Sequence, residues 1–319
     1  MKKLKCAVIG VGYLGRFHAQ KYAQLAQADL IAVCDTDPQT AQAVANELSV
    51  EAVYNHQDLY GRVDAVSIAA TTHQHYKIAK ECIEQGIHVL IEKPITETVI
   101  QANELNILAQ KHGVIIQVGH LERFNAARLA LDDYLDKPRF IESTRIAPYT
   151  PRGADVNVIL DVMIHDIDLI QSIVNSPIMH IDAQGAPVLT NSIDIANARL
   201  HFDNGCVANV TASRISFKSE RKMRIFQNDT YISIDYQNKK FAVFEKGDGE
   251  IFPGIPDVKR HQAEFDDGDA LKLEIRAFVE AILEGHAPLV SGEDGAHALA
   301  IASKITQLIQ GQLETLDVV

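Results

Sequence analysis

Lys5-Cys6-Ala7-Val8-Ile9-Gly10-Val11-Gly12-Tyr13-Leu14-Gly15-Arg16 is the stretch that decides the fold. An apolar run stops at Gly10, two more glycines follow at Gly12 and Gly15, and Phe17, Tyr22 and Leu25 open a helical spacing. The stretch therefore reads as a strand, a tight turn and a helix start. Each glycine answers a different steric demand. Gly10 lets the chain turn, Gly12 lets backbone N–H groups approach a pyrophosphate, and Gly15 lets helix and strand pack closely. The helix start adds N–H donors and partial positive charge where phosphates would lie.

Glycines at this spacing carry weight only in the right surroundings, and these follow. Ala28 to Cys34 (ADLIAVC) reads as a second buried strand ending at Asp35, where an acid accepts from the adenosine ribose hydroxyls. Gly10, Gly12, Tyr13, Leu14, Gly15 and Asp35 are thus the expected dinucleotide contacts, against the plainer reading of Asp35 as a solvated strand-end carboxylate. An acid there repels a 2′-phosphate, and no neighbouring Arg stands ready to receive one, so NAD is favoured over NADP.

From Gly15 to about Gly119 helix and strand patterns alternate, the mark of a parallel sheet covered on both faces. Helices are predicted over 38–48, 73–85 and 97–112, and strands over 64–70, 88–91 and 114–118. After Gly119 strands come in succession, over 140–146, 178–187, 193–202, 206–213, 223–227, 231–235 and 241–244. Turn signals such as Asp203-Asn204-Gly205 and Gln227-Asn228-Asp229 suit antiparallel hairpins. Helices near 270–284 and 296–309 close the chain, and 247–269, polar and rich in Gly and Pro, reads as a loop excursion. The expected architecture is an α/β N-terminal Rossmann domain with a doubly wound parallel sheet (1–119). An α+β C-terminal domain with a large, mostly antiparallel open sheet follows (120–319) and serves substrate binding and oligomerisation. A sheet with one uncovered face is commonly buried by a second copy, so a homodimer or homotetramer through that sheet is expected.

Composition bounds the function. The chain has 319 residues, 47% hydrophobic and 23% charged, enough for two domains of ordinary globular character. A net charge of −12 argues against a nucleic-acid backbone or an anionic membrane as partner. Cys6, Cys34, Cys82 and Cys206 have neither disulfide-framework nor zinc-like spacing and read as reduced, buried thiols. The apolar run after Met1-Lys2-Lys3 is too short for a secretory signal, and no segment is long enough to span a bilayer. A cytoplasmic location is expected.

Two places can carry chemistry. Glu92-Lys93-Pro94 directly follows a strand, where ligands of open parallel sheets lie, and Pro94 biases Lys93 toward an extended conformation that aims its side chain outward. A surface lysine is the plainer alternative. In Val158 to Val174 (VILDVMIHDIDLIQSIV), Asp161, His165, Asp168 and Ser172 form one polar stripe on an otherwise apolar helix. Burying such a stripe without partners costs several kcal/mol, so it must face a site, a partner or water. Asp161 and His165 stand one turn apart, and the acid could hold the imidazole and raise its basicity. Structural hydrogen bonds, a polar subunit contact or a metal held by Asp161 and His165 compete with this reading. No second ligand pair at zinc-like spacing supports a metal, and none is expected. His73 and His75 flank a helix start, exposed or touching the cofactor.

Together these residues resemble the Gfo/Idh/MocA oxidoreductases along the whole chain: the Gly10 to Gly15 fingerprint, Glu92-Lys93-Pro94, then a mixed second domain with Asp161-x-x-x-His165. The resemblance implies that Lys93 hydrogen-bonds the reacting hydroxyl near the nicotinamide, that His165 is the general acid/base and that Asp161 orients the site. It places Thr71, His75, Glu92 and Lys93 beside the cofactor, although Ala70-Thr71-Thr72 lacks the proline common in the family at that loop. Gly119-His120-Leu121-Glu122-Arg123-Phe124-Asn125 and Asp155-Val156-Asn157 resemble the branch that oxidises the 3-hydroxyl of UDP-N-acetylglucosamine. The 3-keto product of that branch feeds a transaminase making a 3-amino sugar for lipid A. Arg123, Asn125, Arg152 and Asn157 are the implied substrate ligands, with Arg123, Arg145 and Arg152 supplying positive charge for a UDP group unless they are surface charges. Two rivals remain, a dehydrogenase of a free polyol or sugar such as inositol, and a non-catalytic NAD(H)-binding sensor or scaffold.

Overall fold

The computed structural model of the protein describes residues 3–150, 156–265 and 268–316. The chain begins with β1 (Leu4–Ile9), α1 (Tyr13–Gln24), β2 (Ala28–Cys34), α2 (Pro38–Leu48) and β3 (Glu51–Val53). It continues with β4 (Ala65–Ile68), α3 (Thr72–Glu84), β5 (His88–Glu92), α4 (Val99–His112) and β6 (Ile116–Gly119). The six strands lie in the order β3-β2-β1-β4-β5-β6, all parallel. This is the doubly wound order, and its switch point between β1 and β4 is where ligands bind in such sheets. Local chemistry agrees with the periodicity. Asp37 caps α2 by accepting from the N–H groups of Gln39 and Thr40, and Thr98 with Gln101 closes a capping box on α4.

The second sheet contains β7 (Phe140–Ile146), β8 (Ile178–Ala186), β9 (Ile195–Phe202), β10 (Val207–Ser213), β11 (Glu220–Gln227), β12 (Thr230–Asp235), β13 (Lys240–Phe252) and β14 (Ile255–Glu264). Its order is β14-β13-β12-β11-β7-β10-β9-β8. Neighbours are antiparallel except β7 and β10, whose parallel pairing needs a long crossover; the chain between them supplies it. A four-residue helix, α5 (Ala126–Leu129), precedes this sheet, and α6 (Ile164–Val174) lies within the crossover and packs on β7 and β10. Ile141, Ala198, Leu200, Val210, Ile225, Ile232 and Val243 face the covered side and are buried. The other face carries a row of stacked rings, Phe140 on Phe226 at 5.8 Å, Phe226 on Tyr231 at 5.0 Å and Tyr231 on Phe244 at 5.5 Å.

The stretch 247–269, read above as a loop, is mostly strand. β13 and β14 form a hairpin that turns at Gly254 (φ 81°), with register shifts between Lys246 and Phe252. The glycines that signalled a loop mark bulges and a close cross-strand approach: a Cβ on Gly247 would stand 2.8 Å from an Asp257 carboxylate oxygen.

Helices α7 (Ala270–Glu284) and α8 (Gly292–Leu316) close the chain. The domain division also differs from the boundary expected at 119. One compact unit comprises Met1–Phe124 with Asp269–Leu299, the other Asn125–Gly268 with Ala300–Val319. The reason is a shared core, since Ile275, Phe278 and Val279 of α7 are buried in one cluster with Tyr22 of α1 and with Leu30 and Val33 of β2. All four cysteines are free and buried, and burial pushes the thiol of Cys206 up to about 11 and those of Cys34 and Cys82 up to about 12.

Candidate active site

In the first unit the glycine turn is built as its spacing requires. Gly10 has φ 84°, and a Cβ there would lie 2.6 Å from the Ala70 nitrogen; a Cβ on Gly15 would fall 1.8 Å from the Gly10 carbonyl oxygen. Gly12 is different. It is exposed, and nothing lies within 4 Å of its would-be Cβ, so its backbone is bare toward the space outside α1. Asp35 is fixed by the turn, its carboxylate accepting from the N–H groups of Val11 at 2.9 Å and Asp37 at 3.0 Å. Gly10, Gly12, Asp35, Thr36, Thr71 and His73 are among the residues lining a cavity of about 790 Å³ over the carboxyl ends of β1, β2 and β4. An adenosine and pyrophosphate fit this chemistry: bare backbone and a helix start for the phosphates, a held carboxylate for the ribose. Among the described lining residues there is no arginine to meet a 2′-phosphate.

His75 was expected at the cofactor and stands behind the cavity wall instead. It is buried, with Nδ1 2.9 Å from the Pro94 carbonyl oxygen and Nε2 2.9 Å from that of Ala70. Burial pulls its pKa down, and the two carbonyls only partly offset this. His73, two residues earlier on the same helix, is the histidine that lines the cavity.

Glu92, also expected to bind cofactor, turns its carboxylate inward. It accepts from His18 Nε2 at 3.0 Å and from the Lys93 N–H at 3.2 Å. Gly119 opposite is the only residue type that leaves room, since a Cβ would come 2.9 Å from that carboxyl group. Lys93 itself is half-buried at the end of β5, and its peptide bond to Pro94 is cis. The buried partners His18 and Glu274 escaped the sequence reading, because a lone His or Glu on an apolar helix face signals nothing about what it meets.

In the second unit, the helix predicted over 158–174 begins with a widened π turn, Ile159–Met163, before the regular α6. Such widened turns are frequent at functional sites, and Asp161 sits in this one with His165 just after it, both half-buried. The stripe inferred from regular spacing is therefore redistributed. Ser172 bonds back to the Leu169 carbonyl, Asp168 is buried, and the adjacent Asp166, outside the stripe, takes the buried ion pair with Arg145 at 2.7 Å and a hydroxyl bond from Ser143 at 3.0 Å. Arg145, considered for a UDP group, is thus committed to Asp166.

Of the implied substrate ligands, Asn125 caps α5, its Oδ1 accepting from the Ala127 N–H and its Nδ2 donating to the Tyr236 carbonyl. Asn157 caps the π turn, Oδ1 accepting from the N–H groups of Ile159 and Leu160 at 3.0 Å each. Arg123 lies 3.8 Å from Asp294. Arg152 falls outside the described residues, as does Asp155. Another buried pair, Arg214 with Asp194 at 2.8 Å, also ties down Val156, whose carbonyl accepts from the same guanidinium.

An NAD-type cavity on a doubly wound sheet, a lysine turn at its β5 end and an Asp-His pair on a second, mostly antiparallel domain define a class. Residues 4–120 match the family described as "Oxidoreductase family, NAD-binding Rossmann fold", and residues 115–232 match the "GFO/IDH/MocA C-terminal domain". The chain belongs to the Gfo/Idh/MocA oxidoreductases and is an NAD-dependent enzyme. Among similar proteins, the UDP-N-acetylglucosamine 3-dehydrogenase of Acidithiobacillus ferrooxidans is 37% identical over 98% of this chain and 100% of its own. A solved structure of that protein superimposes with a TM-score of 0.92, covering 98% and 99% of the two chains. The scyllo-inositol 2-dehydrogenase of Bacillus subtilis is 27% identical over 95% of this chain and 93% of its own. Among the described residues no helix is long and apolar enough to cross a membrane.

Proposed function

We propose that the protein oxidises the 3-hydroxyl of UDP-N-acetylglucosamine with NAD, giving a 3-keto sugar for transamination and 3-amino sugar (lipid A) synthesis in the cytoplasm. One observation carries this reading: similarity to the A. ferrooxidans 3-dehydrogenase runs end to end at 37% identity, ten points above the B. subtilis inositol dehydrogenase (37 − 27).

Bound NAD supplies the hydride acceptor. The chain's own residues handle the proton and the charge. His165 takes the proton of the reacting hydroxyl, with Asp161, four residues earlier, orienting the imidazole. The Lys93 ammonium stabilises the negative charge developing on that oxygen. A charge-stabilising group of this kind contributes roughly a hundredfold or more to kcat. The stacked row Phe140, Phe226, Tyr231 and Phe244 supports a homodimer or homotetramer through the open face of the second sheet, since such a row is ready to be buried against another copy.

NADH formation measured with NAD and a panel of UDP-sugars and free polyols tests the reading. Turnover of UDP-N-acetylglucosamine with oxidation at carbon 3 is expected. Turnover of inositol alone would favour the polyol reading, and NAD binding without any turnover would favour the sensor.

A further inference from the structure

The first unit holds a cluster of titratable groups that the proposed reaction does not use. His18 on α1, Glu92 at the end of β5 and Glu274 on α7 bring one nitrogen and two carboxylate oxygens within 4.8 Å of one another. His18 and Glu274 are 0% exposed and Glu92 only 9%. Among the described residues neither Glu274 oxygen has a hydrogen-bond partner, and His18 Nδ1 has none either. Two carboxylates so close and so dry cannot both stay ionised without a large cost, because each charge lacks water and repels the other.

The geometry says where the negative charge rests. Glu92 accepts from His18 Nε2 and from the Lys93 N–H, so its charge is held by two donors. Among the described residues on the elements packed against α7, Arg16 pairs with Glu47, Lys21 pairs with Asp269, His88 Nδ1 accepts from the Ile115 N–H, Arg123 lies 3.8 Å from Asp294, and the Tyr22 hydroxyl bonds Ser67 at 3.0 Å. Glu122 on the turn Leu121–Phe124 is a further anion, not a counter-charge. Burial first, and the Glu92 charge second, drive the Glu274 pKa well above the usual carboxylate range.

We propose that Glu274 is a positioning residue for Lys93: it remains the neutral acid of the buried His18, Glu92 and Glu274 cluster, so that a single negative charge, on Glu92, underlies the lysine turn. The functional half of this rests on the reading of Lys93 as catalytic. Glu92, one residue before Lys93 and bonded to its backbone, fixes the turn and sets a negative charge beside the lysine. A second anion in the same cavity would repel Glu92 and loosen that hold.

Infrared spectroscopy tests the charge state without any substrate. Wild-type protein at neutral pH is expected to show the carbonyl stretch of a protonated, buried carboxylic acid, and Glu274→Gln to lack it. Absence of such a band in wild type, or its persistence in Glu274→Gln, would overturn the proposal. So would one divalent metal per chain in the purified protein that His18→Ala releases, because a metal would hold both carboxylates as anions. The pH profile of kcat tests the positioning. Glu92→Gln is expected to lower kcat about tenfold and to move the alkaline limb down by roughly one unit, with the KM for NAD changed less than about twofold. Glu274→Gln, a neutral amide for a neutral acid, is expected to keep the limb where wild type has it. Should Glu92→Gln not fold, His18→Asn weakens the hold on the same carboxylate and is read in the same way. An alkaline limb that stays in place in Glu92→Gln, or in His18→Asn where that variant stands in for it, or one that moves in Glu274→Gln, would overturn the positioning role. No turnover by wild type with any sugar would remove the catalytic reading of Lys93, and the positioning role with it, while the band would still establish the charge state.

Discussion

The Nδ1 of His75 lies 2.9 Å from the carbonyl oxygen of Pro94, which joins the loop after β4 to the lysine turn after β5. Its other nitrogen meets Ala70, so one buried ring braces the cofactor cavity wall against the Lys93 segment. Replacing it with Phe keeps the volume and removes the ring's N–H donor, leaving a carbonyl buried without that partner at a cost of about 1–3 kcal/mol. Because the folded pKa of His75 is lowered, the unfolded chain binds more protons in mild acid. The His75 contribution is complete above the ordinary histidine value and shrinks as pH falls through it. His75→Phe is expected to lower Tm at neutral pH and to flatten its decline below about pH 6.5, read by thermal melts across pH.

Gly12 separates folding from cofactor binding. A Cβ there meets nothing within 4 Å, and its φ of −62° suits any residue, so Gly12→Ala should melt like wild type. The same methyl would stand where a pyrophosphate must approach the backbone, and NAD affinity is expected to drop at least about tenfold. Tm with and without NAD checks both halves. Gly10→Ala should behave oppositely and unfold early even without NAD, since its Cβ would strike Ala70 at 2.6 Å.

Asp194 holds the crossover of the second unit. It is 0% exposed and accepts from the N–H groups of Val188, Leu189 and Thr190 and from Arg214. Burial alone would raise its pKa, but these donors outweigh it and hold the carboxyl far below the usual range. Its stabilisation is complete above the unfolded carboxylate value and is lost as pH falls toward the folded one. Asp194→Ala strands Arg214 and should cost about 3–5 kcal/mol, seen as a lower urea midpoint at neutral pH. The loss should narrow in strong acid.

Glu274 has the opposite linkage. Its raised folded pKa means the folded chain keeps, toward neutrality, a proton that the unfolded chain has already released. This contribution is complete below the ordinary carboxylate value of about 4.3 and declines as pH rises. Glu274→Gln should therefore gain Tm over wild type as pH is raised from 5 to 8, by an increment that grows with pH.

The nucleotide half was legible because its demands are local. Gly10 and Gly15 are dictated by contacts a few ångströms away, Asp35 by its place after β2, and the Asp37 cap by its own side chain. What escaped depends on long-range partners. Nothing near Glu274 in sequence shows that it meets Glu92 and His18, and nothing near Arg145 shows that it is spent on Asp166. The stripe drawn through Asp161, His165, Asp168 and Ser172 assumed a regular helix, which the π turn at Ile159–Met163 breaks. Strand β3 is too short, at three residues, to show alternation, and the β13–β14 hairpin was hidden by the glycines that bend it.

The shared core of the first unit has a consequence for synthesis on the ribosome. Tyr22, Leu30 and Val33 emerge early, yet Ile275, Phe278 and Val279 close over them only when most of the chain has been translated. The nascent nucleotide-binding half must wait with an uncovered apolar surface, exposed to chaperones, and a protein truncated after Phe124 should aggregate where the full chain matures.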